Sequence, residues 1–256
     1  MPRGIKVNQR GEIIIAEYGG HCVSIFSSTG EKLQSFGTQG SGAGQFNTPH
    51  GVAVDGDSNI LVADEENKCI QKFTSDGNLT GSSPSEFNCP LGLAIALSGE
   101  KILAVDYRNH CIQILNPDLS FSGCFGSYGS GDGQFSSPYD VAFDNTGSVY
   151  VTDSGNNRIQ VFTIEGQFLR QFGKKICSNR ELSFPCGISI DNDNVVYVTE
   201  RYNHCVSVFT CEGKFLTSFG TKGDEPGQFM SPRGIAVDKN GVVHVSDTDN
   251  SRLQLF

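Results

Sequence analysis

The chain has 256 residues, a net charge of −9, 31 glycines, nine cysteines and no tryptophan. Its length suits one closed all-β domain, and its Val, Ile, Phe and Thr runs between turn residues favour strands over helices. No stretch nears the roughly 18 consecutive apolar residues of a membrane helix, and Met1-Pro2-Arg3-Gly4 has no apolar signal core, so a cytoplasmic protein without membrane contact is expected.

In chain order, one pattern recurs six times: a Pro-x-Gly opening, Pro-x-Asp in the fourth unit, then an apolar run and an acid or amide. Pro2-Arg3-Gly4 opens residues 1–46, Pro49-His50-Gly51 opens 47–87, and Pro90-Leu91-Gly92 opens 88–135. Pro138-Tyr139-Asp140 opens 136–184, Pro185-Cys186-Gly187 opens 185–229, and Pro232-Arg233-Gly234 opens 230–256. The third residues of these openings are 47, 41, 48, 47 and 47 positions apart, a period of propellers or solenoids.

The fifth unit shows the content of each period. Gly187–Ile190, Val195–Thr199, Cys205–Phe209 and Lys214–Phe219 read as strands, separated by Asp-, Asn- and Gly-bearing turns. Four strands in sequence order make an up-and-down sheet with two apolar faces, so each sheet needs a neighbour on both sides. Six twisted sheets meet that need by closing a ring. The fold expected is therefore all-β, a six-bladed β-propeller of four-stranded antiparallel blades. Phe256 ends the third strand of the sixth unit, so the last blade is expected to be three-stranded, with an exposed edge, as in a fragment.

The phrases Pro232-Arg233-Gly234-Ile235-Ala236-Val237-Asp238, Val243-His244-Val245-Ser246-Asp247 and Arg252-Leu253-Gln254-Leu255-Phe256 resemble the NHL repeat, and the resemblance covers the whole chain. The linkers ending Gly44-Gln45-Phe46, Gly133-Gln134-Phe135 and Gly227-Gln228-Phe229 are similar to those of tripartite-motif NHL proteins, ubiquitin ligases and translational regulators whose C-terminal propeller recruits targets. Linkers 81–87 and 173–184 depart from that pattern. The resemblance implies a non-enzymatic recognition platform, the substrate-recruiting propeller of a tripartite-motif ubiquitin ligase whose RING domain would carry any ligase activity. It permits an RNA-binding propeller as the alternative and a metal-dependent lyase or hydrolase as the third reading. The expected partner is a protein or a short RNA, not DNA; the propeller is expected to be monomeric and to need no cofactor.

The Gly-rich linkers lack the Gly-Lys-Ser/Thr ending of a phosphate loop and read as flexible connections anchored by a buried Phe. His21, His110 and His204 share one repeat position, but a zinc site needs all its ligands within about 2.1 Å, and these residues lie two strand spacings of roughly 4.8 Å outside the channel strand. Cys22, Cys69, Cys111 and Cys205 stand one per blade where Arg158 and Arg252 stand in units four and six, and are expected to be unbridged. Glu17, Asp64, Asp106, Asp153, Glu200 and Asp247 end the second strand of every unit, so they read as acceptors bracing loops. The Asp-rich turns 55–59 and 191–194 lack the downstream Glu of a calcium loop, and no nucleophile-elbow, Walker or HExxH pattern occurs.

The charge is uneven, with −5 in residues 47–87. One rim, formed by loops before the first strand and after the second, collects Arg3, Tyr18, His21, His50, Tyr107, Arg108, Tyr139, Arg158, Arg201, Tyr202, Arg233 and Arg252. These types supply stacking, hydrogen bonds and low-entropy contact area, which makes them the candidate binding residues.

Overall fold

The apolar runs pair in sequence order into separate antiparallel sheets, and the sheets close into a ring of six blades. The computed structural model describes residues 1–84, 86–174 and 181–256. Among them five blades have four strands and the sixth has three, ending at Arg252–Leu255. One short 3-10 turn, Ser154–Asn156, accompanies the strands, and no described helix is long and apolar enough to cross a membrane.

The innermost strands are Pro2–Val7, Pro49–Val54, Pro90–Ile95, Pro138–Phe143, Pro185–Ile190 and Pro232–Val237. Each begins at its proline, whose missing N–H suits the start of a strand. A register shift then follows within the opening tripeptide, as between Pro185 and Ile188, and it turns the residue after the proline toward one end of the channel.

Glycine third in the opening answers a close approach. A Cβ on Gly51 would lie 2.0 Å from the Leu91 carbonyl oxygen, and one on Gly234 2.1 Å from that of Arg3. Asp140 takes that place in the fourth blade, where its carboxylate accepts from the backbone N–H of Ile188 in the next blade at 3.1 Å. Burial pushes its carboxyl up to about 6.

Blade-to-blade cohesion comes from aromatic stacks. The outer-strand Phe125, the linker Phe135 and Phe162 of the following blade have ring centroids 5.0 to 6.4 Å apart, and Phe36, Phe46 and Phe73 repeat the arrangement. Phe46, Phe135 and Phe229 are fully buried, as their linkers predict. The departing linkers still place an apolar side chain in the seam, Phe87 in one and Leu182 in the other, although 175–180 lie outside the described residues. The Gly-rich linkers are not the flexible connections expected. Phe46 N–H donates to the Thr38 carbonyl, Gly40 N–H to that of Phe46, and the Gln45 amide oxygen accepts from Gly42, so each loop is closed by its own hydrogen bonds.

The acids ending the second strands brace the loops as read from the sequence. Asp64, Asp106, Asp153, Glu200 and Asp247 accept from the backbone N–H of Asn47, Asn88, Ser136, Ser183 and Met230, respectively, which precede their own blade's inner strand. The carboxylate also takes a side-chain donor from the third strand, and the two lengths compensate. Glu17 and Glu200 pair with Ser24 and Ser207, whereas the shorter Asp106, Asp153 and Asp247 pair with Gln113, Gln160 and Gln254.

Ring closure has its own bonds. The Ser246 hydroxyl donates to the Arg3 carbonyl at 2.7 Å and the Thr248 hydroxyl to that of Pro2 at 2.9 Å.

Candidate functional site

The two repeat positions that face one end of the channel form two concentric rings. The residue after each opening proline gives the inner ring: Arg3, His50, Leu91, Tyr139, Cys186 and Arg233. The residue after each second-strand acid gives the outer one: Tyr18, Glu65, Tyr107, Ser154, Arg201 and Thr248. Most of both rings, joined by Cys89 and Phe184, line a mouth of about 180 Å³. Behind it the channel narrows to a cavity of about 20 Å³ among the glycines, Lys6 and Asp140.

Inside the mouth Arg233, Tyr139 and His50 are joined by hydrogen bonds. Arg233 can only donate, so its Nη1–H gives to the Tyr139 hydroxyl oxygen at 2.6 Å. The Tyr139 hydroxyl and His50 Nε2 share a hydrogen bond of 3.0 Å, whose direction follows the His50 tautomer. Burial holds His50 well below its ordinary 6.5, with Arg3 and Arg233 adding to the effect, so it is neutral. Burial also pushes Tyr139 and Cys186 up to about 12, which keeps both protonated. Neither is an activated nucleophile.

The guanidinium groups rest on aromatic faces. Arg3 lies 4.5 Å from the Tyr18 centroid, Arg201 5.3 Å from that of Tyr202 and 5.8 Å from that of Phe184, and Arg233 5.7 Å from that of Tyr139.

Of the twelve rim residues expected from the sequence, Arg3, Tyr18, His50, Tyr107, Tyr139, Arg201 and Arg233 line the mouth. Tyr202 is 58% exposed beside it and Arg108 is exposed next to Tyr107. The other three stand elsewhere. Arg158 is fully buried, its Nε 2.6 Å from Asp153 and its Nη2 on the carbonyls of Gly131 and Gln134. Arg252 makes the corresponding pair with Asp247. His21, with φ of 49°, accepts the Thr48 N–H on Nδ1, and His110 and His204 accept those of Ser137 and Ser231 in the same way. These histidines tie one blade to the next and do not converge. Among the described residues no three His, Cys, Asp or Glu side chains could share a metal.

Cys89, Leu91, Phe184 and the acidic Glu65 line the mouth in addition to those rim residues. Two of them carry the signal that finds the rings, since Leu91 follows an opening proline and Glu65 follows a second-strand acid. The cysteines of the shared repeat position lie in four different blades, and Cys22, Cys69 and Cys111 among them are free thiols; Cys177 lies outside the described residues. The opposite end of the channel is a 200 Å³ dish walled by Val7, Val54, Ile95, Phe143 and Ile190 together with Lys6 and Ser189, and Leu97 in its lining is 70% exposed.

Among solved structures of similar shape are virginiamycin B lyase from Staphylococcus aureus and a protein of unknown function from Bacteroides thetaiotaomicron. The first matches with a TM-score of 0.69 and 17% identity over 100% of this chain and 83% of that one. The second matches with a TM-score of 0.75 and 16% identity over 99% and 68%. At such identities the likeness is one of fold. In sequence, the chain is 33% identical over 125 residues to "Protein brain tumor" of Drosophila melanogaster, covering 46% of this chain and 12% of that protein. It is 29% identical over 137 residues to "Probable peptidyl-alpha-hydroxyglycine alpha-amidating lyase pgal-1" of Caenorhabditis elegans, covering 47% and 38%. The chain thus matches only a minor part of the length of either relative. The NHL repeat model matches residues 1–26, 46–73, 87–115, 135–162, 182–209 and 229–256, one match per blade and most of the chain, and the protein belongs to the NHL-repeat family.

Proposed function

We propose that this propeller is a non-enzymatic target-recognition platform whose binding face is the ringed mouth, and that it recruits a protein partner in the cytoplasm as the substrate-recruiting part of a tripartite-motif ubiquitin ligase does. The observation that carries the reading is convergence. Side chains from at least five blades, most of them Arg or aromatic, meet at one end of a scaffold whose remaining repeat residues are spent on packing. Aromatic and Arg side chains in such a concavity are the usual anchors of an interface, and the rigid ring removes most of the cost of ordering them.

A second reading, recognition of a short RNA, draws on the Arg–aromatic stacks at Tyr18, Phe184 and Tyr202, since splayed bases stack on the same kind of surface. The acidity of residues 47–87, which includes Glu65 in the mouth wall, weighs against a polyanion. The likeness to two lyases by name raises a catalytic reading, which the protonated Tyr139 and Cys186 and the unconverged histidines do not favour.

The test is a binding measurement on a partner recovered with the wild-type chain. Arg108→Ala with Arg201→Ala weakens binding by more than about 1 kcal/mol per residue while thermal stability stays nearly unchanged. Lys32→Ala, Lys214→Ala and Glu212→Ala, near the hairpins joining third and outer strands, leave binding intact. Loss of binding in those controls with normal binding in the mouth variants refutes the choice of face. A fall in affinity with salt that flattens by about one unit per Arg removed points to RNA instead.

A further inference from the structure

Arg3, Arg201 and Arg233 enter the mouth from three blades, and among the described residues none of them forms an ion pair with a carboxylate. Each also keeps a buried Nε–H with no acceptor. Arg233 is the sharpest case, only 8% exposed, with its one side-chain bond given to the Tyr139 hydroxyl. A buried cation left without an anionic acceptor is costly, so Arg233, joined at the same 180 Å³ space by the half-buried Arg3 and Arg201, leaves the site electrostatically incomplete.

The neighbouring groups do not complete it. His50 Nε2 is engaged by the Tyr139 hydroxyl, and its neutral ring brings no charge. Glu65 accepts the Cys89 thiol at 3.5 Å on the wall of the mouth, and Asp249 acts on Arg233 without pairing with it. Arg108 adds a fourth positive charge near Cys89. The 20 Å³ channel behind the rings is too narrow to pass a bound group, so a ligand entering the mouth stops against the guanidinium groups.

We propose that the mouth is an anion site for one carboxylate side chain of a protein segment, held by Arg3, Arg201 and Arg233, with basic residues of that segment facing Glu65 and Glu66. The inference rests on the mouth being the recognition face and adds the chemistry of the anchor. The mouth has room for an acidic side chain against the guanidinium groups. A carboxylate matches the donor fork of a guanidinium, and the aromatic backing keeps each fork in place without a protein carboxylate competing for it. The acidic sector beside the mouth favours a segment of mixed charge over a polyanion.

The experiment follows the arginine Nε–Hε resonances of the ¹⁵N-labelled chain during titration. The probes are the acetylated, amidated peptide Lys-Gly-Glu-Gly-Lys, its Gln counterpart and decauridylate. The expected result is a saturable shift of the Arg201 and Arg233 signals with the Glu peptide, and affinity for the Gln peptide lower by about tenfold or more. Arg233→Gln abolishes the Arg201 shift with the Glu peptide while its circular dichroism stays that of the wild type; should it fail to fold, Arg3→Gln and Arg201→Gln serve with the remaining arginine signals as readout. Equal shifts with Glu and Gln peptides overturn the proposal, and so does saturation by decauridylate at a lower concentration than by the Glu peptide. If no peptide shifts these signals while Arg108→Ala with Arg201→Ala still weakens partner binding, the anion site is refuted and the recognition face stands.

Discussion

Blades four and six carry the same Arg–Asp pair at the same repeat position, and the two pairs live in different surroundings. Arg158 is 1% exposed at the side chain; its Nη1 reaches Gln171 on the outer strand Phe168–Phe172, and that strand covers it. Arg252, bonded to Asp247 and to the linker carbonyls of Asp224, Glu225 and Gln228, is 29% exposed, because blade six ends at its third strand. The aromatic stack differs in the same sense, with Phe162 fully buried and Phe256 43% exposed. Beyond Arg252 and Leu253, toward blade one, lies a groove of about 450 Å³ floored by Ile13, Ile15 and Phe26. One local sequence motif thus has two energetic weights, set by what lies outside it.

The largest expected contrast is in the ion pair. Arg158→Ala breaks a buried ion pair and removes the guanidinium's bonds to Gln171 and to the Gly131 and Gln134 carbonyls, while Asp153 keeps Ser136, Asn156 and Gln160. It costs about 3–5 kcal/mol, whereas Arg252→Ala lets water reach Asp247 and costs about 1–2 kcal/mol. Chemical denaturation of the two variants measures both, and equal costs would break the comparison. Next comes the stack. Phe162→Ala removes a buried ring at about 3–5 kcal/mol, and Phe256→Ala removes a half-exposed one at about half that or less, read from the same denaturation midpoints.

How much of this was legible in the sequence follows from which relations are local. The six periods, the strand order, the acids ending each second strand and the buried linker phenylalanines are spaced within one repeat, so a single chain displays them. The length match of Glu with Ser and Asp with Gln is visible in the same way, since the partners stand seven residues apart. Arg158 follows the loop after a second strand, a rim position in the strand pattern; its burial depends on Gln171 and on the previous linker, Gly131 to Gln134, which that pattern does not bring to it. The mouth joins residues as far apart as 3 and 233, and only ring closure reveals that Arg233 and Tyr139 meet across 94 positions.

A pH contrast sharpens the comparison further. Tyr150 in blade four donates its hydroxyl to Asp144, and the corresponding side chain in blade six is His244, 3.6 Å from Asp238. Burial outweighs Asp238 and lowers the His244 pKa below 6.5. The unfolded chain therefore takes up the proton first as pH falls below about 6.5, and stability is lost through the window down to the folded value. Asp140, raised to about 6, acts in the opposite sense, losing its contribution as pH rises through that value, but it is common to both chains compared. His244→Leu, the residue at this position in blades two and three, should flatten the fall of melting temperature between pH 6.5 and 5 by at most one proton's worth, about 1.4 kcal/mol per pH unit. An unchanged slope would show that His244 does not titrate differently in the two states.

The smallest expected difference lies on the inner side of the same two blades. Ser154 in blade four donates its hydroxyl to the Pro185 carbonyl, and Thr248 at the same repeat position in blade six donates to that of Pro2. Both side chains are fully buried, and both bonds join a second strand to the neighbouring inner strand. The outer strand that covers blade four, with no counterpart among the described residues of blade six, is separated from these second-strand ends by the third strand and does not touch either bond. Ser154→Ala and Thr248→Val each leave one carbonyl without its donor, at about 1–3 kcal/mol. The two costs should agree within about 0.5 kcal/mol by chemical denaturation, because the layer closing the ring is the same in a three-stranded blade as in a four-stranded one. A markedly smaller cost for Thr248→Val would mean that the loosening of blade six reaches the channel, and with it Arg3 and the mouth.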